Sequence, residues 1–134
     1  MAKRKPKSIA KLVDEAAVLT QKLVRLKARD DNGYVSCVTC GTTRDWKEMQ
    51  GGHFISRKWT STKLMEENIH PQCPCCNGPL KGNPIQYTLY MVDMYGREFV
   101  DELELKKHQT RKYGRPEILE IIQELKQRVT ELEE

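Results

Sequence analysis

Two C-x-x-C pairs are the feature that most restricts what this chain can fold into. Cys37 and Cys40 form the first pair, and Cys73 and Cys76 form the second. A spacing of two residues lets a tight turn direct both sulfurs at one metal ion, and two such turns complete a tetrahedral four-cysteine zinc site. We therefore predict one structural Zn²⁺ per chain on these four thiolates. Such a closed site keeps no coordination position open for catalysis.

Two alternatives to this interpretation concern the fifth cysteine and redox chemistry. Cys75 lies inside the second pair and either replaces a neighbour as a ligand or remains a free thiol; the two-residue spacing favours the outer cysteines. A redox C-x-x-C motif of the thioredoxin type would follow a strand and open a long helix. Neither context is visible in this sequence.

The composition indicates why the chain needs a metal. Its 134 residues are 38% hydrophobic and 31% charged, with only two Trp and two Phe, so we expect one domain with extensions and a small apolar core. No segment has the length of apolar sequence that a membrane span needs, and the start, M-A-K-R-K-P-K-S, lacks the apolar stretch of a signal peptide. We expect a cytoplasmic protein with no membrane partner, in which thiols stay reduced and bind metal.

Basic residues are concentrated near the N-terminus. Residues 1–29 contain nine Lys and Arg and two acidic residues, whereas the rest of the chain has a net charge of −3. This basic section is either a phosphate-contacting arm, whose attraction would be salt-sensitive and independent of sequence, or a solvated helix face.

Apolar periodicity predicts a long helix at each end of the chain. The first runs from Ile9 to about Arg29, and the last runs from Pro116 to the end. The apolar residues of the last helix alternate at spacings of four and three, as in a coiled coil. They are Ile118, Ile122, Leu125, Val129 and Leu132. This seam either forms a dimer or packs on its own domain or on the N-terminal helix.

Between these helices the sequence predicts turns, a hairpin and two short helices. Residues 34–79 have no helical period. Asn83 and Pro84 are typical of a helix N-terminus, and Gly96 is typical of its end. A second short helix is expected from Arg97 to about His108. The apolar face of the first is predicted to contain Ile85, Leu89 and Val92, and that of the second Phe99, Val100 and Leu103.

The segment between the two cysteine pairs carries residues suited to phosphodiester hydrolysis. His53 follows two glycines, Asn68 comes fifteen residues later, and Asn77 directly follows the last cysteine. This is the order of residues in HNH, or ββα-metal, nucleases. Imidazole is suited to deprotonate water near neutral pH, and a hard divalent cation stabilises the charge on the phosphate and the leaving oxygen. The pattern predicts a nuclease site in this segment, and the zinc ion would hold the two ends of the segment together.

The stretch from about Tyr34 to His108 resembles the NinG/Rap recombination proteins of lambda-like phages, which are HNH-type endonucleases acting on branched DNA. The matching pieces are C-V-T-C-G, G-H-F, E-N-I-H-P-Q-C-P-C-C-N, K-G-N and Y-G-R-E-F-V-D-E-L-E. They cover over half of the chain in the order of the family. The run from Glu67 to Asn77 is the most specific piece, and the N-terminal helix resembles the family only loosely.

The resemblance implies a role for each residue of the motif. His53 occupies the position of the general base, and Asn77 the position that holds Mg²⁺ or Mn²⁺. Asn68 stands at the middle Asn of the motif, which orients the base and the hairpin. His70 lies two residues farther along the expected strand and so shares a face with Asn68. It is either a second metal ligand or a group that polarises the phosphate.

Gly52 stands where many HNH enzymes have a metal-binding Asp before the base. The metal then needs another protein ligand or more water, and His70 is the first candidate and Glu67 the second. Each residue of the motif also has an ordinary structural interpretation, as a partly buried His, a turn Asn or a surface cation. The expected phosphate contacts are Arg57, Lys58 and Lys81.

The predicted fold is α+β: a small zinc-stapled ββα-metal (HNH) nuclease core at residues 34–83, between a basic tail and helix at residues 1–33 and a helical region at residues 84–134. The predicted function is a metal-dependent endodeoxyribonuclease that leaves 5′-phosphate ends. The resemblance implies Holliday junctions or D-loops as substrates, in the cytoplasm of the host cell.

Symmetric cutting of a four-way junction needs two active sites, which favours a homodimer through the terminal helices. A recombinase partner is left open. Two rival functions remain: an HNH nuclease that nicks ordinary duplex DNA, and a non-catalytic zinc module that binds DNA or a recombinase.

Overall fold

Two long helices frame the protein in the computed structural model, which describes residues 5–134. Helix α1 (Ile9–Ala28) begins after Ser8, whose hydroxyl accepts a hydrogen bond from the Lys11 N–H. Helix α6 (Arg115–Glu133) ends the chain. Both predicted helices are confirmed. Lys3 and Arg4 of the predicted basic arm lie outside the described residues.

Helices α1 and α6 run parallel and bury their apolar faces against each other. Arg115, at the start of α6, donates to the Lys7 carbonyl (2.8 Å), and Arg29, after the end of α1, donates to the Leu132 carbonyl. The seam predicted for the last helix is therefore covered by the N-terminal helix, and this face is not exposed to a second copy. The buried residues of this cluster are Leu12, Val13, Ala16, Leu23, Leu26, Ile118, Ile122, Leu125 and Val129.

Two antiparallel hairpins lie beside α1. β1 (Tyr34–Ser36) pairs with β2 (Thr43–Asp45), and β3 (Gln50–His53) pairs with β4 (Ile69–Gln72). A 3₁₀ turn (Trp46–Glu48), the short helix α2 (Thr60–Lys63), a second 3₁₀ turn (Glu66–Asn68) and the short helix α3 (Pro74–Asn77) complete the segment. The prediction of turns and a hairpin over residues 34–79 is confirmed.

Gly51 lets α1 approach the second hairpin closely. A Cβ at residue 51 would lie 2.6 Å from Gln21 Cβ and 2.8 Å from Gln21 Cα. Any larger residue at this position would push the α1 backbone away from β3.

Helices α4 (Pro84–Tyr95) and α5 (Arg97–Lys106) cover the other side of the second hairpin. They are joined at Gly96, whose φ of +90° only glycine adopts readily. The predicted ends of α4 are confirmed, as is burial of Val100 and Leu103 on α5. No helix of residues 5–134 is both long and apolar enough to cross a membrane.

The predicted apolar face of α4 is wrong for two of its three residues, since only Val92 packs partly buried against the core. Ile85 and Leu89 are 75% and 59% exposed, whereas Tyr87 and Met91 are buried. The helix has two apolar faces, and the face that contains Tyr87 and Met91 is the buried one. The Tyr87 hydroxyl donates to the Gly52 carbonyl of β3 at 2.7 Å. Periodicity alone cannot choose between such faces.

Candidate functional site

The four predicted cysteines converge on one point between the first hairpin and α3. The Sγ atoms of Cys37, Cys40, Cys73 and Cys76 all lie within 4.8 Å of one another, and those of Cys40 and Cys73 are 3.7 Å apart. Zn–S bonds of about 2.3 Å in a tetrahedron place the sulfurs about 3.8 Å apart. These cysteines are positioned to hold one metal ion, in an arrangement consistent with structural zinc.

Polar groups around the sulfurs support their thiolate form. Cys75 is exposed and is not part of the cluster. Hydrogen bonds to ligand sulfurs orient them and balance their charge. The contacts to Sγ atoms are the Cys76 N–H at 3.4 Å from Cys73, the Asn83 amide at 3.7 Å from Cys76 and the Thr39 hydroxyl at 3.2 Å from Cys37; the Cys40 thiol donates to Thr42 Oγ1 at 3.3 Å.

The thiols of the cluster differ in acidity. Burial raises the pKa of the Cys37 thiol, but hydrogen bonds from Thr39 and from backbone N–H groups outweigh it and lower this pKa to about 6. Burial raises the pKa of Cys73 to about 12. A metal ion would therefore meet Cys37 as a thiolate and displace the proton of Cys73, so its binding releases protons.

His53 lies at the end of β3 and lines a cleft of about 700 Å³. Its Nε2 is 2.9 Å from the Lys63 carbonyl oxygen. Because a carbonyl can only accept, Nε2 carries the proton and the neutral ring keeps its lone pair at Nδ1. Burial lowers the pKa of His53 to about 4, and the charges of Arg57 and Lys63 act in the same direction. At neutral pH the ring is thus neutral, with its proton at Nε2 and a free lone pair at Nδ1.

Three other predicted site residues line the same cleft as His53: Asn77, Arg57 and Lys81. The Asn77 amide Nδ2 donates to Gln50 Oε1 at 2.8 Å. This bond fixes the amide and leaves Asn77 Oδ1 as an oxygen acceptor. No Asp or Glu is among the residues lining the cleft. The cleft combines a base, an amide oxygen and cations.

Lys81 is held at the edge of the cleft by an unusual backbone. Lys81, Gly82 and Asn83 all have positive φ, of 52°, 89° and 48°. The left-handed conformation costs a non-glycine residue about 1–2 kcal/mol. The turn is fixed by hydrogen bonds from the Lys81 N–H to the Gly78 carbonyl and from the Gly82 N–H to the Cys76 carbonyl, both at 2.8 Å.

Asn68 is fully buried and ties the segment that directly follows His53 to the short helix α2. Its Oδ1 accepts from the Ile55 N–H at 2.7 Å, and its Nδ2 donates to the carbonyls of Ile55 and Thr62 at 3.0 and 3.1 Å. The Phe54 N–H donates to the Asn68 carbonyl at 2.8 Å. These bonds hold the backbone that follows His53; the orienting role of Asn68 stays a prediction.

His70 does not join His53, contrary to expectation. In the second hairpin His70 is opposite Gly52, and His53 is opposite Ile69. Residues directly opposite each other share a face, and adjacent residues alternate, so His70 and His53 point to opposite faces. Both ring nitrogens of His70 are engaged by tyrosine hydroxyls, Nδ1 with Tyr87 at 3.2 Å and Nε2 with Tyr95 at 2.7 Å.

Glu67 and His70 both line a different cleft, of about 730 Å³. The expectation that either would complete a metal site with Asn77 is therefore corrected. It assumed that Asn68 and His70 lie on one strand, but Asn68 ends a 3₁₀ turn and only His70 lies in β4.

Lys58 differs from expectation, and Gly52 lies outside the His53 cleft. A Cβ at residue 52 would point into the buried Gln72 side chain. Lys58 does not line the cleft either; its Nζ lies 5.2 Å from the centre of the Trp59 ring.

Arg25 and Gln50 line the cleft and were missed by sequence reasoning. Arg25 belongs to the basic section of α1, and its guanidinium donates to the Met49 carbonyl at 3.0 Å. Burial lowers its pKa. The sequence shows that α1 is basic, but not which of its cations faces the hairpin. Two others are used in ion pairs, Lys22 with Glu133 and Lys27 with Glu66.

Comparison with known proteins identifies the family of the chain. A family model described as "NinG: Bacteriophage Lambda NinG protein" matches residues 1–134. The chain belongs to the NinG family. Protein ninG of Escherichia phage lambda is 28% identical over 112 residues, which are 84% of this chain and 54% of the lambda protein. Protein ninG of Escherichia phage 933W is 30% identical over 84 residues, 63% of this chain and 42% of the phage protein.

This NinG-family chain spans about half the length of the curated relatives it matches. No solved structure matches it. The family match covers both the cysteine cluster and the His53 cleft.

Proposed function

We propose that this NinG-family protein is a metal-dependent DNA endonuclease that prefers branched recombination intermediates, on a fold stapled by zinc. The observation that carries the proposal is His53, a neutral base with a fixed tautomer in a cleft that also presents an amide oxygen and cations. A module that only bound DNA would have no need to fix the tautomer of a buried imidazole. The branched substrate rests on the resemblance of the motifs and not on the cleft.

His53 acts as the general base in this proposal. Its Nδ1 accepts a proton from water while the Lys63 carbonyl holds the Nε2–H and stabilises the imidazolium that forms. A DNA phosphate in the cleft would raise the pKa of His53 from its low value, because a nearby negative charge favours the protonated ring. General-base catalysis of this kind contributes about 10²–10⁴-fold to a rate.

Asn77 Oδ1 is the group in the cleft that would hold Mg²⁺ or Mn²⁺. The bound ion would stabilise the negative charge on the phosphate and the leaving oxygen. Mg²⁺ sites usually include one or two carboxylates together with substrate phosphates and water. Since no carboxylate lines this cleft, the ion would depend on the DNA for most of its ligands.

Arg25, Arg57 and Lys81 are the proposed phosphate contacts. All three line the His53 cleft. Contacts of this type fix the position of the backbone without reading sequence, and they weaken as salt rises. This fits recognition of DNA by shape.

The test compares wild type, His53→Ala and Asn77→Ala on supercoiled plasmid and on a synthetic four-way junction, with Mg²⁺, with Mn²⁺ and with neither. Asn32→Ala is the matched control for Asn77→Ala, because Asn32 is exposed and outside the cleft. We expect the cutting rate of His53→Ala to fall at least about 100-fold. Asn77→Ala should need a higher concentration of Mg²⁺ or Mn²⁺ for the same rate, and Asn32→Ala should behave as wild type. Ligation of the products would verify the 5′-phosphate ends.

Each rival function corresponds to a distinct result. Equal cutting by wild type and His53→Ala, with zinc content unchanged, would refute the nuclease. Equal cutting of plasmid and junction would favour an enzyme that nicks ordinary duplex DNA. DNA binding without cutting under any ion condition would favour the non-catalytic zinc module.

The homodimer remains a prediction and needs a surface other than the seam of α6, which α1 covers. Sedimentation at micromolar concentration, with and without junction DNA, tests it. A species of 15.6 kDa alone would remove it.

A further inference from the structure

A second basic region lies in the connection between α5 and α6. Residues 106–115 contain no Asp or Glu. The net charge of the C-terminal part of the chain does not reveal this segment, because acidic residues of α5 and α6 on either side of it offset its positive charge. Its five cations are Lys106, Lys107, Arg111, Lys112 and Arg115.

Three of these cations have no carboxylate partner within residues 5–134, and one of the three, Arg115, donates to the Lys7 carbonyl at 2.8 Å. Lys107 pairs with Glu104 at 2.8 Å, and Arg111 pairs with Glu117 through both of its Nη atoms. Lys106 and Lys112 are exposed and form no ion pair within residues 5–134. The loop of residues 106–112 therefore keeps unbalanced positive charge at the surface.

A concave surface of about 400 Å³ lies beneath this loop. The polar side chains that line it are either cations or neutral hydrogen-bonding groups, and no Asp or Glu lines it. The His53 cleft has the same character, whereas the cleft of His70 is lined by Asp30, Glu66 and Glu67. Leu64, Met65 and Ile121 make part of this lining apolar, and the cations at its rim favour an anion over a cation as the ligand of its polar part. The polar residues are Ser61, Lys106, Gln109, Thr110 and Arg111.

The short helix α2 connects this surface to the His53 cleft. The Lys63 carbonyl binds His53 Nε2 at 2.9 Å, and the Ser61 hydroxyl donates to the Lys106 carbonyl at 2.7 Å. Ser61 and Lys63 are two residues apart, which is a rise of about 3 Å along a helix. The ring of His108 also packs on Trp59, with centroids 5.0 Å apart. The loop is thus attached to the element that fixes the base.

We propose that the loop of residues 106–112 and the surface beneath it bind a backbone phosphate of the same DNA molecule that is cut in the His53 cleft. The inference rests on the proposed function for the identity of the anion. The phosphate belongs either to the same duplex, at a distance from the cut, or to a second arm of a branched substrate. In the second case this loop supplies the preference for junctions.

The experiment measures binding in the His53→Ala protein, loaded with zinc and without Mg²⁺ or Mn²⁺, so that no cutting is required. Lys106→Ala combined with Lys112→Ala is compared with Arg97→Ala combined with Lys126→Ala, which removes two exposed cations elsewhere. Fluorescence anisotropy with a linear duplex and with a four-way junction, over a range of salt concentrations, gives the affinities. Circular dichroism checks that both variants fold.

We expect the loop variant to lose about tenfold in affinity, and the slope of log K against log salt to fall by about one per lysine removed. The control should change the affinity by less than about twofold. A loss on both DNAs supports a contact to the same duplex, and a loss on the junction alone supports a contact to a second arm. Equal affinities of the loop variant and the control on both DNAs would overturn the proposal.

Failure of this proposal and failure of the nuclease are distinguishable. Binding is scored without cutting, so a wild type that never cuts DNA leaves the binding result valid. Conversely, a loop variant that binds DNA normally does not affect the nuclease proposal, because the plasmid and junction assays test separately whether cutting depends on His53.

Discussion

Replacing Gly52 with alanine should destabilise the protein by about 2–4.5 kcal/mol. A Cβ at residue 52 would overlap Gln72 Oε1 and lie 2.6 Å from Gln72 Cδ. Gln72 is fully buried, and its Nε2 donates to Thr39 Oγ1 at 3.1 Å and to the Gly82 carbonyl at 2.9 Å. The glutamine cannot make room for the methyl group without losing these bonds.

The magnitude follows from the groups that must move. Each lost hydrogen bond costs about 1 kcal/mol, and forcing a methyl group into a packed site costs about 1–3 kcal/mol. Alanine returns about 0.4–1 kcal/mol by restricting the unfolded chain. The same overlap applies to Gly52→Asp, which should be no more stable than Gly52→Ala.

Urea unfolding followed by circular dichroism, with excess Zn²⁺, measures the cost. Gly114→Ala is the matched control, because the nearest atom to its Cβ would be 4.0 Å away, and its change should stay within about 0.5 kcal/mol. In a Gln72→Ala background the cost of Gly52→Ala should also fall below about 0.5 kcal/mol. The same cost in both backgrounds would refute the reasoning.

Three further predictions concern the metal, the pH dependence and the backbone. Cys37→Ser should lose the single metal ion while Cys75→Ser keeps it, as measured by elemental analysis after gel filtration; equal metal content would contradict the site. Burial lowers the pKa of His70 to about 4, so the unfolded chain binds the proton more readily and stability is lost as the pH falls below about 6.5. When the pH falls from 6.5 to 5.5, the free energy of unfolding of His70→Gln should decrease by about 1 kcal/mol less than that of wild type. An equal decrease in both proteins would argue against the burial effect. Lys81→Gly should raise the unfolding free energy by about 0.5–1 kcal/mol, because glycine tolerates a φ of 52°, yet weaken DNA binding; lower stability would show that the lysine is not strained.

The sequence by itself determined the features that depend on neighbours along the chain. The spacing of Cys37, Cys40, Cys73 and Cys76 was enough to predict the metal cluster, because a two-residue turn constrains both sulfurs locally. The ends of α4 followed in the same way from Pro84 and Gly96, whose backbone preferences act within one turn of a helix.

Only the tertiary structure decided which side chains face one another across the fold. His53 and His70 are separated because strand register places them on opposite faces, and a register shift of one residue would exchange those faces. Arg25 enters the cleft because α1 packs on β3 over Gly51, and the seam of α6 is covered because α1 lies parallel to it. These outcomes depend on contacts between segments distant in the chain, which the local pattern of the sequence does not contain.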